Sequence, residues 1–176
     1  MAAPQGIIRV HQDGPTVTFQ VEGWTTMKQS LSLRRFAEQC LAAGATTLQV
    51  DLRRCTFMDS TFVGTLLFLK RAVHRKEHGE FTLLAPSAEC GKLFRQMGLE
   101  GVFPTAAAEG PAGPWTELTS EGEDGGAFKR NVVQAHQELA SLPGPAGDAF
   151  RAVVRCLGQE AEEATRADEK VSAHDR

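Results

Sequence analysis

The sequence predicts an α/β protein, a mixed sheet with helices packed on it, followed by a C-terminal helical hairpin. Three observations lead there. Short β-branched runs alternate with longer stretches of helical spacing in the order β-β-α-β-α-β-α. The breaks between them carry Gly or Pro. Beyond residue 126 only helical periodicity remains.

The elements follow in order. Gly6-Ile-Ile-Arg-Val-His11 and Pro15-Thr-Val-Thr-Phe-Gln-Val21 are short β-branched runs with Asp13-Gly14 between them, which is a hairpin signal. From Gln29 to Ala43, Leu33, Phe36, Ala37, Cys40 and Leu41 recur at helical spacing, and Gly44 supplies a stop. Leu48 to Leu52 alternates apolar and polar residues, the pattern of a half-buried strand, and Arg53 to Asp59 reads as a connector.

Thr61 to Lys76 is too long for a typical strand and reads as a largely buried helix ending near Gly79. Phe81 to Leu84 is a further strand. Ser87 is the candidate N-cap of a helix carrying Cys90, Leu93, Phe94 and Met97 on one face, with Gly98 just past its end. Right-handed crossovers would join the later strands.

The domain reading is residues 1–104 as the sheet domain, 105–126 as a linker rich in Ala, Gly, Pro and Glu, 127–165 as a helical extension, and 166–176 as a fraying charged tail. The extension carries two apolar stripes. Phe128, Val132, Ala135, Leu139 and Leu142 form one; Phe150, Val153, Val154, Leu157 and Ala161 form the other. Isolated helices shorter than about 15 residues are marginal in water, so both stripes need burial on each other, on the domain or on a second copy.

Apolar residues at 41% and charged residues at 23% fit a globular protein and leave both enzyme and binding module open. The longest apolar stretch lies within Phe62 to Leu69, far short of the roughly 20 residues of a membrane-spanning helix. No secretory pattern stands at the N-terminus, so a cytoplasmic location without membrane insertion is expected. The net charge of −3 gives no general attraction to nucleic acid. Its distribution is uneven: residues 1–110 carry 12 basic and 10 acidic side chains, residues 111–176 carry 7 and 12.

The segment Val50-Asp51-Leu52, followed by Thr56-Phe57-Met58-Asp59-Ser60-Thr61-Phe62-Val63-Gly64, resembles the STAS family of sulfate transporters and anti-sigma factor antagonists. Members have a strand ending in Asp-Leu, a connector, and an Asp-Ser-Ser-Gly-Leu-Gly-like turn that opens a helix. A second part of the pattern is Phe81-Thr-Leu-Leu-Ala-Pro86-Ser87, then Leu93-Phe-Arg-Gln-Met-Gly98-Leu99, then Val102-Phe103-Pro104. The resemblance covers the chain up to Pro104 and implies a non-catalytic regulatory binding module, with an anti-sigma factor or switch serine kinase as partner. It implies that Ser60 accepts phosphate; Thr61, in the same first helical turn, is a less favoured acceptor, since a threonine at a helix start is more often structural. The other reading is a STAS scaffold or ligand-binding subunit of a lipid-transport or stress-signalling assembly, without a serine switch.

On their own chemistry, Ser60 and Asp59 stand where a connector enters a helix and are also candidate caps for free N–H groups. Phe62 replaces the family's usual Gly. A large aromatic in the first helical turn is either buried or defines a docking surface; the resemblance implies that partners dock at this turn, which makes Asp59, Ser60, Thr61 and Phe62 the candidate partner-binding residues. Gly64 reads as a close helix-packing position. Asp59 is a solitary carboxylate and a poor general acid–base candidate.

No nucleotide-binding glycine loop, zinc-protease motif or nucleophile elbow occurs, so no enzyme, metal or cofactor is expected. His74 and His78 would share a helix face at their spacing of four, but Arg75 and Lys76 disfavour a cation between them and no third ligand is evident. Cys40 and Cys90 read as small buried apolar residues, and no Cys-x-x-Cys spacing occurs.

Overall fold

Asp13-Gly14 turns the chain back on itself, with Gly14 at φ 54° supplying the left-handed residue that the turn needs. The hairpin strands β1 (Ile7–Asp13) and β2 (Thr16–Thr25) pair antiparallel with Val10 opposite Phe19. The computed structural model describes residues 5–119 and 124–174. After the hairpin come α1 (Met27–Ala42), β3 (Thr47–Met58), α2 (Ser60–His74), β4 (Glu80–Leu84), α3 (Ala88–Gln96), β5 (Thr105–Ala106), β6 (Thr116–Glu117), α4 (Gly125–Ala140) and α5 (Gly144–His174).

The sheet has six strands in the order β5-β4-β3-β2-β1-β6, mixed because β2, β3, β4 and β5 pair parallel while β1 and β6 pair antiparallel. The three parallel steps all move in one direction across the sheet. Right-handed crossovers of that kind place α1, α2 and α3 on the same face. Val17, Phe19, Leu48, Val50, Leu52, Phe81 and Leu83 are buried beneath them.

Strand β3 runs on to Met58, through the stretch read as a connector. Register shifts between Gln20 and Glu22 and between Gly23 and Trp24 interrupt its pairing with β2. Such irregularities break the period-two signal while leaving Cys55 and Met58 fully buried. Helix α2 ends earlier than expected, at His74. His78 follows in a turn at φ 56°, so the two histidines do not share a helix face.

The presumed linker is built into the fold. It supplies β5 at one edge of the sheet and β6 at the other. Between them it crosses the face that the helices leave open. There Glu109 lies 3.2 Å from Arg53, the Pro114 carbonyl accepts from His11 Nδ1 at 2.8 Å, and Gly110 sits so close to Asp51 that an added methyl would lie 3.0 Å from its Oδ2. Thr18, Asp51 and Leu84, which point to this face, are thereby buried. Composition hid this role because a strap held by backbone pairing and single contacts needs no apolar period.

The extension is a helical hairpin packed on α2, α1 and itself. Its buried residues on α4 are Asn131, Ala135, His136, Leu139 and Ala140, shifted from the expected apolar stripe, with Phe128 and Val132 only half-buried. Helix α5 continues through the segment read as a charged tail, to His174.

Candidate functional site

The site forms where β3 ends and α2 begins. Asp59 is the N-cap of α2, and its Oδ1 accepts the Phe62 N–H at 2.8 Å. Its Oδ2 accepts the N–H of Met27, the first residue of α1, at 2.7 Å. One carboxylate therefore holds two helix N-termini together, and the positive ends of both helix dipoles favour its charge. Helix α1 has its own start signal, a capping box between Thr26 and Gln29.

Ser60 follows as the first residue of α2 and is half-buried. Its Oγ lies 3.0 Å from Nε2 of His136 on α4. The other ring nitrogen, Nδ1, lies 2.8 Å from the Val132 carbonyl, which only accepts. In the neutral ring Nδ1 thus carries the proton and Nε2 accepts from the Ser60 hydroxyl. His136 is 7% exposed, and Phe150 of α5 stands behind it with ring centroids 6.3 Å apart. A backbone carbonyl, and no carboxylate, orients this histidine.

The rest of the α2–α4 contact lies on the same stripe as Ser60. At 3.6 residues per turn, Ser60, Gly64, Leu67 and Arg71 align. A methyl on Gly64 would lie 2.2 Å from the Ala135 carbonyl oxygen, so the two backbones touch at this point and the packing reading of Gly64 is correct. Arg71 donates to Glu138 Oε2 at 2.5 Å and to Ser141 Oγ at 2.6 Å. On the α1 side, Asn131 donates to Ser30 Oγ at 2.9 Å and accepts from Arg34 at 3.4 Å, while Arg34 lies 3.9 Å over the Phe68 ring.

Phe62 is on the opposite side of α2 from Ser60, in line with Leu66, Leu69 and Val73. It is fully buried in the core, so the expectation of a docking role for its side chain is corrected. Thr61, 2% exposed, is likewise turned inward. The large apolar side chains exposed at the end of β2 and the start of α1 are Trp24 and Met27, at 44% and 40%, and of these Met27 is tied to the site by its N–H bond to Asp59. The Trp24 ring packs on Phe57 with centroids 4.7 Å apart, and a groove lined by Met27, Phe128, Val132, Val133 and Leu157, with charged Lys129 and Glu160, opens where α1 starts against α4 and α5. Single apolar residues at the ends of elements carry no periodic signal, and neither does a histidine on a distant helix.

Other titratable groups are structural. Asp51 accepts from the Arg53 guanidinium at 2.8 Å and from the Arg53 N–H at 3.1 Å, which pushes the Arg53 pKa up. Burial raises the Cys40 thiol, and a hydrogen bond to Cys90 together with burial raises that of Cys55. Cys90 is drawn down by the same hydrogen bond, with Ser87 assisting. Ser87, the expected N-cap of α3, accepts from the Cys90 N–H and donates to the Cys55 carbonyl at 2.6 Å, pinning α3 to β3. Asp124 caps α4, and the N–H groups of Gly126 and Ala127 hold its carboxyl below the usual range. Among the described residues no cluster of three His, Cys, Asp or Glu side chains is placed to hold a metal ion, and no helix is long and apolar enough to cross a membrane.

Comparison with solved structures finds the anti-sigma factor antagonist SpoIIAA in its unphosphorylated form, at 26% identity over 57% of this chain and 88% of that one, with a TM-score of 0.51. The phosphorylated form, described as a Bacillus cell fate determinant, aligns at 26% identity over 57% and 91%, with a TM-score of 0.48. The solution structure of the protein TM1081 shares the fold at 12% identity, covering 55% of this chain and 78% of that one, with a TM-score of 0.50. Comparison with curated proteins gives no match. A family model described as "Mlab, STAS domain" matches residues 8–104, which hold β2, β3, β4, α1, α2, α3 and all of β1 but Ile7. By that match, and with its SpoIIAA-like fold, the chain belongs to the STAS domain family.

Proposed function

We propose that this chain is a non-catalytic regulatory module that binds an anti-sigma factor or a related switch serine kinase, and that phosphorylation of Ser60 switches the binding. The observation that carries the reading is the placement of Ser60. It is the first residue of α2, beside the carboxylate that joins the N-termini of α1 and α2. Exposed N–H groups at a helix start tolerate an added anion, so the fold survives modification. A phosphate brings about −1.5 to −2 charges next to Asp59, and a partner seated on a neutral hydroxyl then meets repulsion and a desolvation cost. Similarity to an anti-sigma factor antagonist solved in its unphosphorylated form supports the same reading.

The partner-facing surface in this proposal is Ser60 and Asp59 with exposed Trp24 and Met27, and without the buried side chains of Phe62 and Thr61. The experiment is incubation with a serine kinase encoded beside this chain's gene, followed by intact-mass and fragment analysis. Phosphate on Ser60, its loss in Ser60→Ala, and weaker partner binding by Ser60→Asp are the expected results. Phosphate at another position sinks the switch.

A second reading is favoured by the hydrogen bond that occupies Ser60: a STAS scaffold subunit of a lipid-transport or stress-signalling assembly, with no serine switch. It predicts that Ser60→Asp leaves assembly unchanged. Self-association through α4 and α5 belongs to either reading, since Val153 is exposed and Val154 and Leu157 are half-buried on α5. Light scattering on Val153→Glu reads it out as a fall in mass.

A further inference from the structure

Helix α4 lies across the α2 stripe that begins with Ser60, and it lies outside the family match, which ends at residue 104. The cover is thus an addition by this chain to the shared domain. We propose that α4 is an intrachain cover for Ser60: while it is docked, the hydroxyl is tied to His136 and withheld from any kinase or partner, and Ser60 becomes available when the hairpin leaves α2. This rests on the proposed switch for its biological purpose, but the cover itself is a property of the α2–α4 contact.

Three features of the contact carry the inference. First, its position: Ser60 Oγ meets Nε2 of His136 at 3.0 Å, and one turn further on the α2 backbone at Gly64 meets the α4 backbone at Ala135. No protein group fits between helices in backbone contact, so a kinase that must reach round the serine hydroxyl needs α4 displaced.

Second, its chemistry is that of a separable interface. Of the five buried residues on α4, two are polar, and each is paired with the domain beneath: Asn131 with Ser30 of α1, His136 with Ser60 of α2. Arg71 with Glu138 and Ser141 adds a half-exposed pair. Water replaces such partners when the helix departs, so their loss costs far less than the same number of buried apolar contacts. Paired polar groups also hold one register, which suits a cover that must return to the same place. The sheet side of α2 is the contrast: Phe62, Val63, Leu66, Leu69 and Val73 are all apolar and fully buried.

Third, release leaves in place the apolar residues that hold α2 to the sheet, although it uncovers Leu67 and withdraws Leu139 from the edge of the core. The α2 residues under α4 lie on the side of the helix away from the sheet, whereas the residues that hold α2 to the sheet are the apolar set above. Gly64 itself is costly in a helix interior, by roughly 0.5–1 kcal/mol relative to Ala, and close approach of α4 is the structural reason for a glycine there.

The test uses the full chain with Cys156→Ser, which removes the exposed cysteine, and Ser60→Cys, which puts a thiol at the covered position while Cys40, Cys55 and Cys90 stay buried. Labelling by a polyethylene-glycol maleimide reports access at position 60, and hydrogen exchange over residues 125–140 reports docking of α4. Gly64→Ala is added to drive α4 off. Leu139→Asp, a charge at a fully buried α4 position, does so from the other side if the first change is absorbed by a small shift. The expected result is slow labelling with α4 protected, and labelling about tenfold faster or more, in step with α4 exchange, in the released variants. A labelling rate that does not follow α4 exchange overturns the cover. Neither readout involves a kinase, so failure of Ser60 to accept phosphate sinks the switch and leaves the cover standing, while rate independence does the reverse.

Discussion

The Ser60 hydroxyl and the His136 ring, 76 residues apart in the chain, meet at 3.0 Å across the contact of α2 with α4. The Val132 carbonyl sets the tautomer, so the serine donates and the ring accepts. A residue that the family resemblance marks as a switch therefore has a partner from outside the family domain.

This pair gives the first prediction. Ser60→Ala and His136→Ala should each destabilise the chain, and the double variant should cost less than their sum. The coupling expected for one half-buried hydrogen bond is about 0.5–1.5 kcal/mol. Urea unfolding of the four proteins measures it. Strict additivity would show that the two side chains do not depend on each other in solution.

Phe62 is the second case. Its ring is fully buried and points away from Ser60, toward the sheet. Phe62→Ala should cost about 3–5 kcal/mol by removing a large core side chain. A partner affinity that falls while the melting temperature stays near its starting value would return Phe62 to the docking surface.

Asp59 is expected to matter more for its shape than for its charge. Asp59→Ala releases the Phe62 and Met27 N–H groups together and should cost about 1–2 kcal/mol or somewhat more, while Asp59→Asn keeps one accepting oxygen, turns its NH2 toward the other N–H, and loses less. Denaturant midpoints separate the two. Equal losses from both variants would mean that a single accepting oxygen is not enough to hold the two helix starts.

The pH dependence of α4 follows from Asp124. The Gly126 and Ala127 N–H groups, with help from Arg130, lower its carboxyl in the folded chain. A lowered folded value means that its stabilisation is present above the unfolded value of about 3.9 and is lost as the pH falls through the folded one. Hydrogen-exchange protection in the first turn of α4, taken relative to the intrinsic amide rate at each pH, should therefore fall at acid pH, and Asp124→Ala should show weak protection at neutral pH with a flatter profile. An unchanged acid response in that variant would assign the effect to another group.

What the sequence determined by itself is local. Asp13-Gly14, the alternation from Leu48 to Leu52, the helical spacing of α1 and the Ser87 cap are all readable because each depends on residues within a turn or two. The order of motifs from Asp51 to Pro104 likewise led to the family that matches residues 8–104. The tertiary structure decided what distance in sequence conceals. Phe62 was equally consistent with core and surface until the sheet was placed beneath α2. Residues 105–117, without period or apolar run, became a strap because both edges of the sheet offered unpaired backbone groups. His136 came to Ser60 because Gly64 and Ala135 let two helix backbones touch, and no pattern along one helix records what another brings to it.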